Sequence, residues 1–105
     1  MIRFIPFESD SMKAFDGENE VGFCTFEING YKMFLTSLTA SDDIIAEGLI
    51  RSALNYGANR GAYIAQVNGG LFENVFRRLS FKGEELLSAD IPEVLTSGCS
   101  CSHSK

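Results

Sequence analysis

Apolar and polar positions alternate with a period of two at the start of the chain. Ile2, Phe4 (or Ile5) and Phe7 mark the alternation, which reads as a strand, and Pro6 places it at an edge or near an end. The next stretch, residues 9–20, is polar, and its "DGENE" reads as a turn. Alternation returns in "VGFCTFEI", where Val21, Phe23 and Thr25 oppose Gly22, Cys24 and Phe26. Asn29-Gly30 is a strong hairpin signal, and "YKMFLTSL" is expected to return as the antiparallel partner.

The period then changes. From about Asp42 to Arg60, Ile45, Leu49, Ala53 and Tyr56 fall beside Ala46, Ile50, Leu54 and Gly57, a wide apolar stripe at helical spacing. Ser41 is the expected N-cap, Asp42 and Asp43 sit in the first turn where the helix dipole favours them, and Arg60-Gly61 is a stop signal. "AYIAQV" (62–67) reads as a short buried strand and "LFENVFRRL" (71–79) as a second helix. "SFKGEELLSADI" supplies one or two further strands, and the Ser-rich end is expected to be a tail. The order predicts an α/β (α+β) domain over residues 1–95, with a flexible Cys/Ser-rich tail over 96–105. It is expected to have a mixed, mostly antiparallel sheet, a central right-handed βαβ crossover and helices packed on the sheet.

Composition narrows the function. The 105 residues suffice for one domain, and 45% are hydrophobic, with nine Phe and no Trp. A net charge of −5 argues against nucleic acid and against an anionic membrane surface, since both require clustered Lys and Arg. No apolar run approaches the roughly 18 residues that span a bilayer. The N-terminal segment has no continuous apolar stretch and no small-residue cleavage site, so a cytoplasmic location is expected.

The stretch from residue 21 to 82 resembles the GNAT superfamily of acyl-CoA-dependent N-acetyltransferases. Three pieces carry the likeness: the hairpin "VGFCTFEINGYKMFLTSLTA" feeding a long helix, "GLIRSALNYGANRGAYIAQVN", and "NVFRRLSF", which is similar to the family's Leu-Tyr-x-x-Leu-Gly-Phe. The family's two leading helices have no counterpart in the short interval between the first strand and the next. The resemblance implies acetyl transfer from acetyl-CoA to an amine of a small molecule or a protein. It also implies a coenzyme site on the Leu35–Thr39 strand and on the loop at the start of the central helix, with Leu38, Thr39, Ile44, Ile45, Ala46 and Asn68 as the candidate contacts.

Residue by residue, that loop departs from the family pattern Gln/Arg-x-x-Gly-x-Gly/Ala. Ser41 replaces Gln/Arg, Ile44 replaces the first Gly, and only Ala46 fits. Asp42 and Asp43 bring negative charge to a pyrophosphate site, each opposing a phosphate about 5 Å away by roughly 1 kcal/mol. The position of the family's Tyr acid is Phe76, which has no proton to give, and the Gly of the motif is Ser80. Weak or absent acetyl-CoA binding is therefore expected. The alternative to an enzyme is a non-catalytic GNAT-fold binding or dimerisation module.

Other constellations have plain readings. Glu27 and Glu47 are base candidates by residue type, and both also read as surface glutamates. Asn68 reads equally as a turn residue in "VNGG". Cys24 reads as a buried strand cysteine. Cys99, Cys101 and His103 lack a fourth metal ligand, so no metal is expected. Arg77, Arg78 and Lys82 read as a solvated helix face. With the leading helices missing, one sheet face should be thinly covered, and a homodimer is expected there.

Overall fold

The computed structural model describes residues 2–8, 10–68 and 72–99. Nine elements follow one another: β1 (Ile2–Glu8), β2 (Ser11–Asp16), β3 (Asn19–Asn29), β4 (Lys32–Ala40), α1 (Asp43–Ala58), β5 (Ile64–Asn68), α2 (Glu73–Arg78), β6 (Leu86–Asp90) and α3 (Ile91–Cys99). The six strands form a single sheet in sequence order, antiparallel except for the β4–β5 pair. The expected crossover is present, with α1 joining the parallel strands β4 and β5. Tight turns at Gly17 and Gly30, with φ of 66° and 62°, close β2–β3 and β3–β4. Glycine adopts that left-handed backbone at the least cost.

Two elements differ from the sequence reading. The polar stretch before the "DGENE" turn holds β2, whose Met12 and Ala14 are buried under α1 while Lys13 and Phe15 face the other way. Met12 and Ala14 give only one step of alternation, and Phe15 directly after Ala14 obscures it. The C-terminal segment holds α3, which runs past residue 95 to Cys99. Pro92 falls in its first turn, where a missing N–H costs nothing, and Ile91 and Val94 anchor it in the core. Residues 100–105, with Cys101 and His103, lie outside the described residues.

All three helices lie on one face. α1 packs across β1 to β4, and α2 and α3 pack against α1. Arg51 on α1 donates to Val94 O of α3 at 3.4 Å, and Arg78 on α2 lies 3.6 Å from Glu47 on α1. Phe26, Met33, Leu35, Leu49 and Leu54 fill the space between sheet and helices. The opposite face carries no described helix. On it, Ile5 and Phe23 flank Lys13 across the strands, Phe7 is 55% exposed, and the Lys13 ammonium sits 4.0 Å above the Phe7 ring. Among the described residues no helix is long and apolar enough to cross a membrane.

Candidate functional site

Strand β4 changes partners along its length. Thr25 pairs with Ser37 and Phe26 with Leu35, so Thr36 is an extra residue, a bulge in β4. Thr25 Oγ1 shares hydrogen bonds with Thr36 Oγ1 (2.6 Å) and Ser37 Oγ (2.7 Å), which pin the bulge to β3. Pairing with β5 runs only from Lys32↔Ile64 to Leu35↔Val67. Beyond the bulge, β4 continues to Ala40 with β3 on one side and no described strand on the other. The Ser41 N–H donates to Val21 O at 3.0 Å. Alternation along an antiparallel pair then turns Ser37 and Thr39 toward β3, and it turns the N–H and C=O groups of Leu38 and Ala40 into the gap.

This break in the described pairing lies at the carboxyl ends of two parallel strands, the place where α/β sheets hold ligands. Its mouth is formed by the first turns of α1 and α2. Asp43, Phe72, Glu73, Asn74 and Val75 line a cleft of about 290 Å3 there. The mouth is acidic. Glu73 pairs with Arg77 at 2.7 Å, while no described cation pairs with Asp42 or Asp43.

The first turn of α1 is closed by its own carboxylate. Asp42, not Ser41, is the N-cap. Its backbone is extended (φ −156°, ψ 176°) and its Oδ1 accepts the Ile45 N–H at 2.8 Å. Its carbonyl accepts the Ala46 N–H at 3.0 Å. The cap falls one residue later than expected because the bond to Val21 holds Ser41 to β3, so the chain turns after it.

The structure places the remaining candidates as follows. Leu38, Ile45 and Ala46 are buried, the N–H groups of Ile45 and Ala46 are taken by Asp42, and Thr39 is exposed. Ile44 is 81% exposed and projects toward β1, where with Ile2, Phe4, Gly48 and Arg51 it lines a second groove of about 410 Å3. Asn68 ends β5, exposed and opposite Leu86. Glu27 is exposed and paired across the sheet with Phe34. Glu47 is held in ion pairs with Arg51 (3.1 Å) and Arg78 (3.6 Å), a clamp between α1 and α2. The two glutamates therefore do not share a site. Phe76 is fully buried and meets Phe81 edge-on, ring centroids 4.9 Å apart. Burial pushes the Cys24 thiol up to about 12, partly offset by a hydrogen bond with the Met12 backbone, so it stays protonated and is no nucleophile. Arg77 is used within its own segment, on Glu73 and on Gly83 O. Among the described residues no cluster of His, Cys, Asp and Glu could hold a metal ion.

The bulge was not anticipated. "TSLT" fits two strand parities equally, and no residue in it marks an insertion. One signal was available at the other end of the motif. Ser80 stands where the family has Gly, and its φ is 77°, the left-handed backbone that glycine supplies after a helix.

No protein-family model and no curated protein matches the sequence. Solved structures do match it. An aminoglycoside 6'-acetyltransferase type Ii superposes with a TM-score of 0.66 at 16% identity, over 77% of this chain and 68% of that one. A GNAT family acetyltransferase from Brucella melitensis, in complex with acetyl-CoA, gives 0.64 at 20% identity, over 76% and 56%. A mutant of the AtaT toxin, bound to the C-terminus of the antitoxin AtaR, gives 0.66 at 14% identity, over 90% and 72%. The chain thus spans little more than half of the Brucella protein. Bulged β4, parallel β4–β5 pair, crossover helix and strand order together give this chain the fold of the GNAT acetyltransferases, without a helical segment between its first two strands.

Proposed function

We propose that this chain is a non-catalytic GNAT-fold binding and dimerisation module. One observation carries the reading: the Asp42 carboxylate accepts the Ile45 N–H at the start of α1. An incoming pyrophosphate would have to displace that bond and then sit beside two carboxylates that have no described cation partner. The buried Phe76 supports the same reading, because the position of the family's general acid is packed into the core. The AtaT structure, in which the fold is bound to the end of another protein chain, is compatible with a binding module and with an enzyme alike. Dimerisation is assigned to the face of the sheet without helices, where Phe7 and Ile5 are exposed.

Titration calorimetry with acetyl-CoA tests it. The expected Kd is no tighter than about 100 μM, near −5.5 kcal/mol. The triple variant Asp42→Gly, Asp43→Lys, Ile44→Gly should gain affinity, since it frees the Ile45 N–H and reverses the local charge. A low-micromolar Kd for the unaltered chain would instead support an enzyme that acetylates a small-molecule or protein amine, a reading that the break in the β4–β5 pairing and the acetyl-CoA-bound neighbour favour. Light scattering tests the dimer: a mass of 11.5 kDa at high micromolar concentration overturns it.

A further inference from the structure

We infer that the groove between β1 and α1 binds a small amphipathic carboxylate, a ligand with an apolar body and one anionic end. The groove offers about 410 Å3, within the range that holds small ligands. Ile2, Phe4, Ile44, Ile45 and Gly48 make its walls apolar. Ile44 is 81% exposed and adds nothing to the core, yet it shares the groove with the half-buried Ile2 and Phe4, so the three form one apolar strip. Gly48 sets the depth of the strip: with no side chain there, the Phe4 ring lies directly against the helix. The groove is at the β1 edge of the sheet, and the break in the β4–β5 pairing lies toward the other edge. The inference therefore does not depend on whether acetyl-CoA binds.

The polar end of the groove is Arg51, two turns along α1 from Ile44, or about 10 Å. A guanidinium carries five N–H donors. The Nε N–H and one on Nη2 go to Glu47, and one on Nη1 goes to Val94 O, which leaves one N–H on each Nη for a ligand. A carboxylate can take such a pair with its two oxygens. Glu47 is shared with Arg78, so two guanidiniums face one carboxylate, a local surplus of positive charge in a chain of net charge −5. The acids at the start of α1 do not line this groove: Asp42 spends its carboxylate on the Ile45 N–H, and Asp43 lines the cleft on the α2 side. A terminal carboxylate at Arg51 with an apolar body lying back to Ile44 satisfies both ends, whereas an amine in the same place would meet two cations.

The probe is octanoate, titrated into the full chain and followed by amide NMR shifts. Saturable shifts centred on Ile44, Gly48 and Arg51 are expected, with a Kd below about 1 mM. Octanol and octylammonium are the controls, and each should bind at least about fivefold more weakly, since one lacks the charge and the other reverses it. Ile44→Asn should weaken octanoate about fivefold with little change in melting temperature, because that side chain lies outside the core. Glu47→Gln removes the carboxylate that competes for Arg51, so it should tighten octanoate about threefold and leave octanol unchanged. Arg51→Gln should bring octanoate down to the affinity of octanol. A purely structural Glu47–Arg51 pair would not move octanoate in opposite directions while sparing octanol. Absence of saturable shifts up to about 10 mM octanoate overturns the site. Equal binding of octanol or of octylammonium overturns the assignment to carboxylates. Displacement of octanoate by acetyl-CoA would put both in one place and overturn the inference as well.

Discussion

The two faces of the sheet are made from the same strands and meet opposite fates. On the covered face Phe26, Met33 and Leu35 are fully buried beneath α1. On the other face Phe7 and Ile5 are 55% and 37% exposed, and the aromatic rings are shared with Lys13 rather than with one another. Alternation alone supplies both sets, because successive side chains point to opposite sides of a strand. What separates them is the chain between strands. The crossover helix is long enough to roof β1 to β4, while β1 and β2 are joined by a tight connection with no room for a helix. Stability is therefore expected to concentrate on one face and association on the other.

The largest expected effect sets the faces against each other. Phe26→Ala should cost about 3–5 kcal/mol, since it empties a filled site against Tyr56 and the core. Phe23→Ala should cost about 1 kcal/mol in the monomer, because the ring is half in solvent already. Urea melts at low micromolar concentration measure both. Equal losses would mean that the second face is as well packed as the first. Light scattering on Phe7→Lys adds the other half of the comparison: stability nearly unchanged, dimer mass lost.

A middle-sized effect probes how β1 is held to the covered face. Gly48 lies within α1, where glycine ordinarily costs about 1 kcal/mol against alanine. Here a Cβ would land on the Phe4 ring. Gly48→Ala should therefore destabilise by about 1–3 kcal/mol, the reverse of its effect on an open helix. Phe4→Leu in the same chain should restore part of the loss, and a double-mutant cycle reads the coupling. A stabilising Gly48→Ala would show that β1 does not rest on the helix.

How much of this was legible follows the same division. Long periodic segments announced themselves: the stripe from Ile45 to Gly57 predicted α1 within two residues at its start, and Asn29-Gly30 marked the β3–β4 turn. Short segments did not. Met12 and Ala14 are too few to show a period, and Pro92 with a Ser-rich end concealed α3. The acidic loop was legible as a departure from a phosphate-binding pattern. Its wiring was not, because which residue caps α1 depends on the Ser41–Val21 bond, a contact between residues twenty apart in sequence. The bulge was hidden for a related reason: it is a relation between two strands, and Thr36 carries no mark of it.

A smaller effect falls at the junction of α2 with the core. Ser80 holds φ 77°, where an L-residue loses roughly 1–2 kcal/mol relative to the right-handed region. Its N–H donates to Arg77 O at 3.1 Å, so the turn is fixed by backbone bonding and glycine can adopt it. Ser80→Gly should stabilise by about 1 kcal/mol net of the added unfolded-state freedom, seen as a rise in melting temperature. A fall would mean that the hydroxyl supports the turn.

The smallest expected effect is at the acidic cap. Asn accepts the Ile45 N–H about as well as Asp, so Asp42→Asn keeps the cap and removes only charge. Asp43, exposed in the first turn, contributes through the helix dipole alone. Each charge is worth roughly 0.3–1 kcal/mol there, and their mutual repulsion subtracts from the sum. The double Asn variant should lose about 0.5–1 kcal/mol at low salt and less at high salt, because exposed charges are screened. Differential melts at two ionic strengths read both quantities. If the double variant melts higher than the parent at low salt, repulsion exceeds the dipole term and the helix does not account for the pair. The two carboxylates would then be charges held in place for a cationic partner.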